Sequence, residues 1–81
     1  MITTNKLTRY FLHLIDGDLI EEDDLGQELP DAAAALVEAR RFAYEIRSDV
    51  NELGRAYVRV VDASGTDIGT VFVSDRTHGW T

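Results

Sequence analysis

The chain has 81 residues and a formal net charge of −7, room for one small domain with little stability to spare, because a chain of this size buries only about 60% of its unfolded surface. It has no cysteine, which excludes a disulfide framework, a thiolate zinc site and a thiol nucleophile. The acidic balance argues against nucleic acid as a partner, since phosphate affinity rests on Lys and Arg.

The charge is uneven. Residues 16–31 hold eight carboxylates and no base, while the rest of the chain carries all eight basic residues against seven acidic ones. No stretch approaches the ~20 apolar residues that span a bilayer. The apolar run Tyr10 to Ile15 is short, is broken by His13 and leads into Asp16-Gly17-Asp18, unlike a signal peptide. A cytoplasmic protein without membrane contact is expected.

Arg9 to Ile15 reads as a strand with two different faces: Tyr10, Leu12 and Leu14 on one, Phe11, His13 and Ile15 on the other. Asp16-Gly17-Asp18 is a hairpin turn, and Leu19 to Glu22 returns as a short strand whose acids suit a sheet edge. Gly26 and Pro30 bracket a loop. Asp31 stands before an alanine run as an N-cap. Ala32, Ala35, Leu36, Ala39, Phe42, Ala43, Ile46, Val50 and Leu53 then recur at helical spacing, with Glu38, Arg41, Glu45, Ser48 and Glu52 on the wet side and Gly54 as the stop. Ala56 to Val61 and Ile68 to Val73 are two further strands, joined by a turn over residues 62–67, with Gly69 as a bulge. Residues 1–81 form a single domain, with an ordered core from about residue 8 to 75 and fraying expected in the N-terminal residues and in 76–81.

This pattern defines an α+β fold: a four-stranded antiparallel sheet in β-β-α-β-β order, with one long helix packed on one face. A right-handed crossover from the second strand to the third, stepping over the first, sets the order second, first, third, fourth.

The run RYFLHLIDGDLIEEDD, the ELPD before the alanine-rich helix and the closing VDASGTDIGTVFVSD together resemble a family of small uncharacterised bacterial proteins. The resemblance extends from Arg9 to Asp75. It implies the fold and brings no catalytic, cofactor or metal residues with it. In topology alone the chain is similar to small bacterial antitoxins, which place an acidic hairpin and a Leu/Phe-Pro-Asp turn before a helix on an antiparallel sheet. It lacks the DNA-binding segment such antitoxins usually carry.

Three groups of residues could carry chemistry. The acidic stretch offers the oxygen ligands that calcium and magnesium prefer. Neither a frame starting at Asp16 nor one starting at Asp62 has glycine at the sixth position of the calcium loop. Any cation contact through Asp16, Asp18, Glu21, Glu22, Asp23 and Asp24 is therefore expected to be weak, and a solvated edge and loop is the simpler reading. His13 is the natural general base, yet no local motif supplies a nucleophile, so a half-buried histidine bonded to a cross-strand neighbour is expected. Among the arginines, Arg40, Arg41 and Arg47 can pair with Glu38, Glu45 or Asp49 along the helix, while Arg59 projects from the sheet face opposite it. No phosphate loop and no serine elbow is present, and neither enzyme activity nor a cofactor is expected.

The remaining feature is an apolar sheet face without a helix: Phe11, His13, Ile15, Tyr57, Arg59 and Val61, joined by Phe72. Such a face marks an interaction surface. Its expected occupant is a second copy, with an unknown protein partner as the other option and the N-terminal segment or the Trp80 tail as the covering alternative.

Overall fold

A computed structural model describes residues 6–74. The elements are β1 (Thr8–Asp16), β2 (Leu19–Glu21), β3 (Gln27–Leu29), α1 (Ala32–Glu45), β4 (Tyr57–Asp62) and β5 (Asp67–Phe72). The sheet order is β2-β1-β4-β5, all antiparallel, and β3 also pairs with β1. The α+β class and the crossover order agree with the sequence reading. The expected fraying of the chain ends lies outside the described residues.

The sheet has five strands rather than four. The segment between Gly26 and Pro30 read as loop, but Gln27 to Leu29 returns to the same edge of β1 that β2 uses, pairing Tyr10 with Gln27 and Thr8 with Leu29. Three residues are too few to show a strand period, so hydrophobic pattern could not reveal β3. What brings the chain back is Asp23, whose carboxylate is described below.

The helix is shorter than its apolar stripe suggested. Asp31 caps it as expected, its carboxylate accepting the Ala34 N–H at 2.8 Å. The α-helix ends at Glu45 rather than near Leu53, and turns carry the chain onward. Asp16, at the end of β1, holds those turns by accepting the N–H groups of Asn51 and Glu52. Val50 still packs against the core, while Leu53 is exposed. Gly54 does adopt positive φ (89°), but its N–H reaches the Val73 carbonyl at 2.8 Å. It fastens the post-helical turns to the end of β5 instead of stopping a helix.

The core lies between α1 and the inner face of the sheet. Ala35, Ala39 and Ala43 of the helix are fully buried against Val58, Val60, Val73 and Ala56, with Tyr10 and Leu14 close to full burial. Leu12, Leu36, Phe42 and Ile46 pack around this centre, partly buried. Small helix residues bring the backbone near the sheet, and Gly69 does the same from the other side. A Cβ at Gly69 would stand 3.0 Å from Leu36 Cδ2. The register irregularity falls opposite Val60/Val61, with Val60 paired to Gly69 and Val61 to Asp67. Ile68 is therefore the extra residue. Gly69 is there for close helix packing rather than as the bulge.

Among the described residues, no helix is long and apolar enough to cross a membrane.

Candidate functional site

On the sheet face away from α1, the strand registers set the side chains in rows. Ile20 pairs with Ile15, Ile15 with Tyr57, and Tyr57 with Phe72. These four make an apolar row that crosses β2, β1, β4 and β5. Its ends are open: Ile20 is 60% and Phe72 56% exposed. The Tyr57 and Phe72 rings meet at 5.7 Å between centroids. The next row is polar, with His13 opposite Arg59 and Arg59 opposite Thr70. The third places Phe11 opposite Val61 and Val61 opposite Asp67. Arg59 leans across to Asp67, Nε to Oδ2 3.4 Å.

The seven residues expected on this face, Phe11, His13, Ile15, Tyr57, Arg59, Val61 and Phe72, are all on it. Phe72 falls into register because the extra residue is absorbed at Ile68. Ile20 was missed, although its place in the hairpin was legible. A two-residue turn that sets Asp16 against Leu19 must set Ile15 against Ile20.

His13 is half-buried, its ring stacked on Phe11 at 6.4 Å between centroids and 10° between planes. Its Nδ1 accepts the Asp23 main-chain N–H at 3.1 Å, which puts the ring proton on Nε2. His13 is half-buried and bonded as expected, but its partner is the main chain of Asp23, in the loop between β2 and β3, rather than a cross-strand neighbour.

Asp23 organises the split edge of the sheet. Between β2 and β3 the chain leaves β1, and the Leu12 N–H has no strand opposite. The Asp23 carboxylate accepts it at 3.1 Å with Oδ2, while Oδ1 accepts Gly26 N–H at 2.9 Å and Leu25 N–H at 3.2 Å. The return turn needs Gly26: φ is 67°, and a Cβ there would lie 2.8 Å from the Tyr10 carbonyl oxygen. Arg9 closes the same turn, bonding the Leu25 carbonyl at 2.7 Å and pairing with Glu28 at 3.0 Å.

The six acids considered as cation contacts divide. Asp16 is 3% exposed and Asp23 half-buried, both committed to backbone N–H groups, whereas Asp18, Glu21, Glu22 and Asp24 face solvent. Among the described residues no three His, Asp or Glu side chains gather as a metal-binding group.

On the helix side of the split edge lies an open groove of about 330 Å³. Leu12, Leu14 and Phe42 contribute its apolar lining, and Glu21, Glu22, Asp23 and Glu45 its acids. Arg41, also in its wall, is held by Glu38 and Glu45, and both raise the pKa of its guanidinium, Glu38 the more. Arg47 lies past the helix end, over the Tyr44 ring at 3.7 Å.

The arrangement is that of a small α+β domain with one covered and one partly open sheet face. The chain belongs to the family described as Domain of unknown function (DUF6894), whose model matches residues 9–74. No curated protein and no solved structure matches it.

Proposed function

We propose that this protein is a non-catalytic binding module that works through the helix-free face of its sheet and self-associates. The observation that carries this reading is the row Ile20, Ile15, Tyr57 and Phe72, apolar across the whole sheet and open at both ends. A solvated antiparallel face alternates to polar residues, and a contiguous apolar strip on a small domain is a surface for a partner. Two-fold self-association is the commonest way to cover one. The engagement of His13 by a main-chain N–H supports a structural part for that side chain. The carboxylate partners of Arg9, Arg41 and Arg59 support leaving nucleic acid aside.

Light scattering over a concentration series tests the reading on the wild type and on Phe72→Ser. The wild type is expected to reach twice the monomer mass. Phe72→Ser should associate more weakly at nearly unchanged thermal midpoint, since the exposed ring adds little to the core. A wild type that stays monomeric at the highest concentration would overturn the self-association.

The acid-lined groove favours a second reading: capture of a basic protein, as an antitoxin-like partner would do. Under it, Glu21→Lys with Glu22→Lys would abolish binding of a basic amphipathic peptide and leave self-association intact.

A further inference from the structure

We propose that two copies of the chain join through their β5 strands, antiparallel about a two-fold axis at Val71, so that two sheets become one. The inference rests on the self-association proposed above and places its contact at the sheet edge instead of over the helix-free face.

The main-chain geometry of β5 supplies the first argument. Val73 N–H donates to the Ala56 carbonyl at 2.8 Å, a bond that flanks the Tyr57–Phe72 pair and makes it a non-hydrogen-bonded one. Bonded and non-bonded pairs alternate along an antiparallel ladder, and the register continues through Val58 with Val71 and Val60 with Gly69. The N–H and C=O groups of Gly69 and Val71 therefore point at β4, and those of Thr70 and Phe72 point away from it. β5 ends the sheet order, so no described strand receives them. A row of outward backbone groups is a template for another strand.

The two edges of the sheet differ in protection. The β2/β3 edge is broken into two three-residue pieces and carries Glu21, Glu22, Asp24 and Glu28, the usual devices against unwanted pairing. From Ile68 to Val73 the β5 edge has no charge and no proline.

Three features favour a second copy over an unrelated peptide. With the axis at Val71, Thr70 of each copy meets Phe72 of the other as bonded pairs, and the irregularity at Ile68 falls outside the central pairing. Val71, half-buried against α1, then meets its own counterpart in the closely spaced non-bonded position and completes its burial. Finally, like charge opposes self-association in a chain of net charge −7, but the acid-rich segment lies along the β2/β3 edge. Pairing through β5 holds the two acidic segments at opposite ends of the joined sheet, where screening over the Debye length of ~8 Å at physiological salt silences them.

Amide hydrogen exchange on the full chain at low and high protein concentration tests the proposal, with light scattering on the same samples. Val71 is expected to exchange slowly at every concentration, being bonded to β4. Thr70 and Phe72 should exchange rapidly when dilute and become protected by tenfold or more as dimer forms. Thr70→Pro removes a donor from the free edge and none from the β4 ladder. It should keep the fold and lose the dimer, and the wild-type exchange pattern decides the matter if that variant fails to fold. A dimer in which Thr70 and Phe72 stay unprotected, and which Phe11→Ser or Val61→Ser dissociates, would overturn edge pairing and leave association through the face. Protection of both amides in a monomer would overturn it by showing an intramolecular occupant. A chain monomeric throughout removes both readings.

Discussion

The Asp16 carboxylate accepts the main-chain N–H of Glu52, 36 residues further along the chain, at 2.8 Å, and that of Asn51 at 2.7 Å. One buried acid thus ties the first hairpin to the turns that follow the helix. The fit is close on both sides, since a Cβ at the neighbouring Gly17 would stand 3.2 Å from Glu52 Cγ. Hydrogen bonds from backbone donors to a charged acceptor are among the stronger ones, and an N–H left unpaired inside a protein is costly.

Asp16→Ala is expected to destabilise the fold by on the order of 3 kcal/mol, from two donors losing their acceptor. Asp16→Asn keeps one carbonyl oxygen and should recover about half of that loss. Urea denaturation of the two variants measures both. An alanine variant as stable as the wild type would show that the post-helical turns are held by other contacts.

Asp23 has the same part at the split edge, with three N–H groups on one carboxylate. Asp23→Ala should speed amide exchange at Leu12, Leu25 and Gly26 while leaving the β1–β4 ladder protected. Uniform loss of protection would instead mean that the edge and the core unfold together.

Asp16 and Asp23 also mark the limit of what the sequence made legible. The strand, turn and helix signals around Tyr10, Gly17, Asp31 and Val58 are local, and each appeared in the structure where its pattern put it. The outer-face residues of β1 and β4 followed from strand alternation, whereas Phe72 depended on the register shift next to Gly69. The functions of Asp16 and Asp23 are not local. Within an acidic run each looks like any solvated carboxylate, and only the folded chain brings N–H groups to them from elsewhere. The same holds for β3, which exists because Asp23 bridges a gap, and for the early end of α1. The apolar spacing through Val50 is real, but turns rather than helix deliver that residue to the core. Gly69 was legible as special and not as to why, since the reason is Leu36 from another element.

The hairpin loop between β4 and β5 should loosen in acid. Asp62 accepts bonds from the Ser64 hydroxyl at 2.7 Å, Ser64 N–H at 2.9 Å and Thr66 N–H at 2.9 Å. The Ser64 hydroxyl bond, then the Thr66 N–H, hold its pKa below the usual value of 3.8. A carboxyl whose folded pKa is depressed stabilises the fold above its unfolded pKa, and the contribution fades as pH falls through the folded value. The side-chain carboxyl resonance of Asp62 should titrate with a midpoint below 3.8, and Asp62→Asn should flatten that part of the acid limb. A midpoint at or above the ordinary value would sink the assignment.

The alanine seam makes the core intolerant of bulk. Ala39→Leu should cost about 1–3 kcal/mol by overpacking, although leucine is apolar and a good helix former. Gly69→Ala should destabilise for the related reason that Leu36 must move. The double variant Gly69→Ala with Leu36→Val should lose less than the two singles combined. Thermal unfolding of the three proteins measures the coupling, and strict additivity would place Leu36 out of reach of residue 69.

Under the proposed β5 pairing, the broken β2/β3 edge would fix the valence of the sheet. A sheet with two receptive edges can add neighbours without end and grow into a filament. Here one margin is cut short, kinked at residues 22–26 and lined with acid, which under the proposed pairing would leave β5 as the one receptive edge among the described residues. If two copies pair through β5 as proposed, association would stop at a closed pair. Repairing the margin, by deleting the kink and neutralising Glu21 and Glu22, would turn a terminating unit into a polymerising one.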